Sequence, residues 1–313
     1  MDNSKKFVPV MLTPFKEDLS IDYDCLGRLV DFYLESGAGG LFANCLSSEM
    51  YQLSTEEMVE SVSFIVERVA GRVPIVATGS FGDSIAEQAE NVKKIYATGV
   101  SAIILISGLL AKESDSEATF SAKVKELLAL TGDIPVGFYE CPVPYKRVIS
   151  PELLGEFVQT GRVKYHKDTC LDIDQVRAKI ANTKADTSFG LYDAYMVHAV
   201  DSLKAGSAGL SCIQGNYFPE LIVWLCDNYN NTAKQAEVDK VQAFFVEHMD
   251  VMHNTYPASA KYILKQRGLG NTLACRNGSV VPDANNEKEL DTLWQQFSNL
   301  VDEIGLSLVN LSK

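Results

Sequence analysis

Short apolar runs alternate along this chain with longer segments whose apolar residues recur every three or four positions. The runs fall at residues 7–12, 40–44, 74–79, 102–107, 135–140, 163–168, 187–193 and 208–212, and each has the length and character of a strand buried on both faces. The intervening segments read as amphipathic helices; the one after Ser84 stacks Ile85, Ala89, Val92 and Tyr96 on a single stripe. Helix starts are marked by Ser54 three residues before Glu57, by Ser84 three before Glu87, and by Ser150 directly before Pro151. Eight evenly spaced strand–helix units predict the α/β class and closure into a (β/α)₈ TIM barrel. Beyond the eighth run the period becomes wholly helical, with helices expected over 234–252, 258–268 and 287–308 and a loop around Asn277, Gly278 and Pro282. The predicted division is a barrel over 1–231 and a C-terminal helical extension over 232–313 packed on it.

Composition narrows the class of partner. A formal net charge of −13 argues against nucleic acid and against an anionic membrane surface, since both require a basic face. No apolar run is long enough to cross a bilayer, and the opening Met1-Asp2-Asn3-Ser4-Lys5-Lys6 runs into a strand too short for a signal peptide. The seven cysteines show no CxxC pair or zinc-ligand spacing, so neither a disulfide framework nor a structural metal is expected, and a reducing, cytoplasmic setting fits. No cofactor is expected.

The chemistry is concentrated in Arg162-Val163-Lys164-Tyr165-His166-Lys167-Asp168, a short strand with a lysine near its C-terminal end. Alternation along a strand puts Val163, Tyr165 and Lys167 on one face and Lys164 and His166 on the other. Barrel enzymes draw catalytic groups from the C-terminal strand ends, which selects Lys167 over Lys164 and turns His166 toward the helical layer. A desolvated lysine, ordinarily titrating near ~10.4, becomes a neutral amine able to form a Schiff base with a carbonyl. The alternative is a structural lysine whose stem packs in the barrel mouth. Cys45, Cys141, Cys170 and Cys212 also fall near C-terminal strand ends and read as small buried thiols.

Further motifs stand in a specific order: Thr13-Pro14-Phe15 after the first strand, Ile21-Asp22, then Gly39-Gly40-Leu41-Phe42 leading to Asn44-Cys45-Leu46-Ser47-Ser48-Glu49. Leu53-Ser54-Thr55-Glu56-Glu57, Pro74-Ile75-Val76-Ala77-Thr78-Gly79, Tyr139 followed by Pro142, and Lys167-Asp168 complete the set. In this combination, over nearly its whole length, the chain resembles the dihydrodipicolinate synthase and N-acetylneuraminate lyase family. The resemblance implies an enzyme whose lysine, here Lys167, condenses with pyruvate or another 2-oxo acid, while a tyrosine on the fifth strand, here Tyr139, relays protons. It implies carboxylate binding by the hydroxyl loop that here contains Ser47 and Ser48, and further substrate contacts from Asp193 and from Ser211 at the end of the eighth strand. It also implies a homotetramer.

Several positions depart from the family pattern. Ser48 stands where a glycine is usual, Ser107-Gly108-Leu109-Leu110 carries no relay tyrosine, and Pro144 stands where an arginine binds a dicarboxylic substrate, with Lys146 and Arg147 nearby but out of register. Leu191-Tyr192-Asp193-Ala194 keeps one of two sugar-binding acids. The expectation is therefore a class I lyase, cleaving or forming a carbon–carbon bond between a 2-oxo acid and an aldehyde or sugar acid, with a specificity unlike either name-giving enzyme. Dehydration of a 2-oxo-3-deoxy sugar acid through the same imine and a non-catalytic barrel that binds a 2-oxo acid are the alternatives. Glu140, where asparagine is common, would offer an extra acid or base only if it turned inward, which alternation from Tyr139 opposes. Tyr139 also suits a barrel wall, Ser47 and Ser48 a turn, and Asp193 a helix cap.

Overall fold

The structure, a computed structural model, describes residues 4–309; Met1, Asp2 and Asn3, part of the short leading segment discussed above, lie outside the described residues. Eight parallel strands form one sheet: β1 (Lys6–Phe7), β2 (Leu41–Ala43), β3 (Ile75–Thr78), β4 (Ala102–Ile106), β5 (Val136–Tyr139), β6 (Val163–Asp168), β7 (Gly190–Asp193) and β8 (Gly209–Leu210). They are ordered β1-β8-β7-β6-β5-β4-β3-β2, and a parallel bridge between Val10 and Phe42 joins the two ends into a barrel. Strands β2 to β8 fall within the expected runs. The first is shorter than expected because Pro9 has no N–H to donate, yet the pairing continues around it: Val8 N–H donates to Leu210 O at 2.9 Å, and Met11 N–H to Phe42 O at 2.9 Å.

Two cores follow from side-chain alternation. Val8, Val10, Phe42, Val76, Ala102, Ile104, Ile106, Tyr139 and Tyr165 fill the barrel interior. Ile103, Leu105, Val136 and Phe138 point outward into the much larger layer between strands and helices. Val163 lies in that outer layer, which corrects its expected placement on the face of Tyr165 and Lys167. The cause is an irregularity of register: Val136 pairs with Val163, but the next residue, Gly137, pairs with Tyr165. One extra residue in β6 thus switches the face of everything before it. Lys167 keeps its inward orientation because it follows the irregularity.

The helix starts form as their sequence indicates. Ser54 Oγ accepts from Glu57 N–H, Ser84 Oγ from Glu87 N–H, and Ser150 Oγ from Leu153 N–H. In the extension, the helix expected over 234–252 is split at His248 into Gln235–Glu247 and Met249–His253, and it is followed by Ala258–Gln266 and Ala284–Ile304. The last begins earlier than expected because Asp283 caps it, and ends earlier because Gly305 adopts a left-handed conformation at φ 65°. These helices share the outer core, where Phe218 stacks on Phe297 with centroids 4.0 Å apart.

The extension also clamps the loop after β2. Lys261 Nζ lies 2.8 Å from Glu49 Oε1, while Glu49 Oε2 accepts from the backbone N–H groups of Arg276 and Asn277. Both partners are almost wholly buried, so loss of the cation strands a carboxylate away from water. Lys261→Met is expected to lower unfolding free energy by about 3–5 kcal/mol in chemical denaturation. At the β1–β8 seam a Cβ on Gly209 would stand 1.7 Å from Lys6 O, a distance only a backbone displacement can relieve. Gly209→Ala is therefore expected to cost about 4 kcal/mol or more, read by the same measurement or by loss of soluble protein.

Candidate active site

At the C-terminal rim of the barrel, β5 and β6 pair Tyr139 directly with Lys167. Both side chains point inward and both are nearly inaccessible, at 4% and 3% exposure. Lys167 Nζ lies 4.3 Å from the centroid of the Tyr139 ring and 5.9 Å from that of Phe42. Burial pushes the Lys167 amine below the ordinary lysine value. Burial likewise pushes the Tyr139 phenol well up, keeping it protonated. The same desolvation raises two neighbouring thiols: Cys141 is pushed up and Cys212 reaches about 12, so both line the lysine as neutral groups. Cys170, by contrast, is half-buried outside this ring and bonds the Asp172 carbonyl.

Lys167 and Tyr139 open into a cavity of about 570 Å³, which Ser47 also lines. Ser47 Oγ accepts a 2.7 Å hydrogen bond from the Tyr256 hydroxyl. Tyr256 in turn accepts from Asn216 Nδ2 at 2.7 Å, and Asn216 Oδ1 accepts from Tyr33 at 2.6 Å. This chain fixes Ser47 as an acceptor on one side, which leaves its own proton for a group in the cavity. Tyr256 belongs to the extension, and no motif in the sequence singles it out; only the fold brings it to the mouth of the barrel.

The other expected contacts are not among the residues that line the cavity. Ser48 donates to Met11 O at 2.7 Å and accepts from Cys45 N–H at 3.1 Å, pinning the turn in which a serine replaces glycine. The left-handed position in that turn is Glu49, at φ 58°. Ser211 donates to Val8 O at 2.8 Å and accepts from Tyr165 at 3.0 Å. Asp193 accepts from Tyr195 N–H at 2.9 Å and lies 3.0 Å from His198 Nε2. Burial lowers the basicity of His198, but Asp193 outweighs it and holds the imidazole above its ordinary value.

The rim adds groups that the sequence reading did not place. Lys146 lines the cavity and donates to Thr169 O at 2.8 Å, whereas Arg147 turns away to the Tyr145 hydroxyl and the Asp115 carbonyl. Asp250 and His253 reach the rim because the extension breaks at His248. Ser107–Leu110 forms a helical turn, with Leu109 packed against the inner core.

Glu140 faces away from the cavity and is fully buried in the outer layer, so the conditional acid–base role considered for it has no geometric basis. With His166 and Asp168 it forms a cluster whose ligand atoms are close enough to surround a cation. The cation in this place is Lys179, whose Nζ lies 2.6 Å from Glu140 Oε1 and 2.7 Å from Asp168 Oδ2.

Comparison with known proteins places this arrangement in context. The sequence profile of the dihydrodipicolinate synthetase family matches residues 3–296. A 4-hydroxy-tetrahydrodipicolinate synthase of Saccharophagus degradans is 27% identical over 263 residues, covering 83% of this chain and 87% of its own. The corresponding Bacillus velezensis protein is 25% identical over 261 residues, covering 83% and 88%. In fold, the chain is similar to a prophage protein of the dihydrodipicolinic acid synthase family from E. coli K12, solved in complex with pyruvate, with a TM-score of 0.83, 21% identity and 94% and 98% of the two chains covered. A chloride-inhibited dihydrodipicolinate synthase from Acinetobacter baumannii, also solved with pyruvate, superposes with a TM-score of 0.82 at 18% identity, covering 94% and 99%. A family match running from residue 3 to residue 296, over nearly the whole chain, makes this chain an enzyme of the dihydrodipicolinate synthetase family.

Proposed function

We propose that the enzyme is a class I aldolase that joins or cleaves a carbon–carbon bond through a Schiff base between Lys167 and a 2-oxo acid of the pyruvate type. The observation that carries this reading is the Lys167 amine, buried on the cavity floor among rings and neutral thiols and shifted toward its uncharged form. A neutral amine adds to the ketone of the 2-oxo acid, and protonation of the resulting carbinolamine hydroxyl followed by loss of water leaves an iminium. Where the bound acid carries a hydroxyl at C4, cleavage of the bond between C3 and C4 sends its electron pair into that iminium, giving an enamine, and the aldehyde leaves as its C4 hydroxyl proton is passed on through Tyr139. Protonation of the enamine and hydrolysis return pyruvate and free lysine.

Tyr139 stands beside the amine and supplies or receives the proton of the aldol step, its raised pKa favouring the phenol as donor. Ser47, oriented by Tyr256, donates to the carboxylate of the 2-oxo acid. At the rim Lys146, Asp250 and His253 suit an aldehyde carrying polar or anionic groups. The pyruvate bound by two relatives of the same fold supports the choice of 2-oxo acid.

Incubation with pyruvate and borohydride, followed by peptide mass spectrometry, is expected to place a reduced carboxyethyl adduct on Lys167, and Lys167→Ala is expected to give none. Absence of an adduct across a panel of 2-oxo acids would contradict the reading. Tyr139→Phe is expected to retain trapping while turnover of the aldol substrate falls by about 10²–10⁴-fold in a steady-state assay.

A further inference from the structure

The buried cluster behind the cavity contains Glu140, His166, Asp168 and Lys179, all fully inaccessible. Four ionisable groups in one dry location are costly, and apolar side chains of equal volume commonly stabilise a fold as well or better. Their positions in the chain suggest what the cluster contributes. Glu140 directly follows Tyr139, while His166 and Asp168 flank Lys167 on either side. Alternation therefore puts the two site residues inside the barrel wall and their immediate neighbours outside it, gathered around one ammonium.

The hydrogen bonds run from this cluster to the backbone that carries the site. Lys179, from the helix Ile173–Thr183, bridges the two strands by binding Glu140 after β5 at 2.6 Å and Asp168 on β6 at 2.7 Å. Glu140 Oε2 accepts from Thr169 N–H at 3.1 Å, and Thr169 Oγ1 donates back to Glu140 O at 2.5 Å. Glu140 Oε1 also accepts from Ile149 N–H at 3.0 Å, tying down the loop that brings Pro142 and Lys146 to the rim. Asp168 Oδ1 holds Cys170 N–H at 2.8 Å, and Asp168 O accepts from Ala194 N–H at 3.1 Å at the end of β7. His166 Nε2 lies 3.4 Å from Glu140 Oε1 and 3.6 Å from Asp168 Oδ2, so both carboxylates share two cationic neighbours when the imidazole is protonated.

We propose that Lys179 is a positioning residue for the Schiff-base reaction: its bridge between Glu140 and Asp168 locks the ends of β5 and β6 in the register that holds Tyr139 against the Lys167 amine. The inference rests on the imine chemistry proposed above and adds a residue that touches neither substrate nor amine. Lys179 remains charged because the carboxylates of Glu140 and Asp168 outweigh the effect of burial, which acts in the opposite direction.

The test is the rate of borohydride-trapped adduct formation on Lys167 with pyruvate, measured per folded molecule and as a function of pH. Folded protein is quantified by circular dichroism and size exclusion. Lys179→Met is expected to trap pyruvate at least about tenfold more slowly than the parent, with a displaced pH profile, because the end of β6 no longer holds the Lys167 amine in its desolvated place at the cavity. A residue serving stability alone would lower the melting temperature and leave the rate per folded molecule and its pH profile unchanged, and that result overturns the proposal. Should Lys179→Met fail to fold, the neutral combination Glu140→Gln, Asp168→Asn and Lys179→Met removes the stranded charges and is expected to fold while trapping slowly. Trapping at the parental rate in the combination, or failure of both variants to fold, also overturns the proposal, since each makes the cluster something other than a positioning device. A parent protein that forms no adduct would instead contradict the Schiff-base reading itself.

Discussion

The side chains at the ends of β5 and β6 leave the barrel wall in opposite directions, and the site depends on that alternation. Tyr139 and Lys167 enter the cavity, whereas Glu140, His166 and Asp168 enter the outer layer. A one-residue slip in either strand would exchange its inward and outward residues and turn a carboxylate, Glu140 from β5 or Asp168 from β6, to where the substrate must react. The irregularity of register between Val136 and Gly137 shows how closely this phase is set: β6 accommodates one additional residue before Tyr165 and none between Tyr165 and Lys167.

Two buried lysines show how environment decides charge. Lys167 and Lys179 lie within one strand–helix unit, and both are withdrawn from water. Lys167 faces aromatic rings and neutral thiols, so desolvation dominates and favours the free amine. Lys179 faces two carboxylates, whose field exceeds the desolvation penalty and favours the ammonium. Two lysines twelve positions apart are thus divided into nucleophile and counter-ion by which side of the wall they occupy.

Much of this was legible in the sequence because it depends on period. The strand runs, the serine caps and the inward turn of Lys167 and outward turn of His166 all follow from spacing along a single element. Val163 was misplaced because alternation cannot reveal an extra residue that only the partner strand defines. Tyr256, Asp250 and His253 were missed because their place at the cavity comes from long-range packing of the extension and from a helix break at His248. Lys179 carried no local signal either: a lysine within an amphipathic helix reads as solvated until the fold sets Glu140 and Asp168 opposite it. Of the proposed substrate contacts, the hydroxyl loop resolves into two roles that sequence alone could not separate. Ser47 faces the cavity, and Ser48 pins the turn.

The central claim is that burial shifts Lys167 toward its neutral amine, and the direct measurement is titration of that side chain, by nuclear magnetic resonance of the lysine amine or by pH-dependent competitive labelling. A lysine depressed by folding binds its proton less tightly than in the unfolded chain. Its burial therefore destabilises the fold fully below the folded pKa, and that penalty lifts as pH rises from the folded pKa to the unfolded value near ~10.4. The account predicts that Lys167 titrates below the ordinary lysine value and that Lys167→Met removes this component of the pH dependence of stability. Titration at or above the ordinary value would contradict it, since the amine would then be a charged structural group when it meets the substrate.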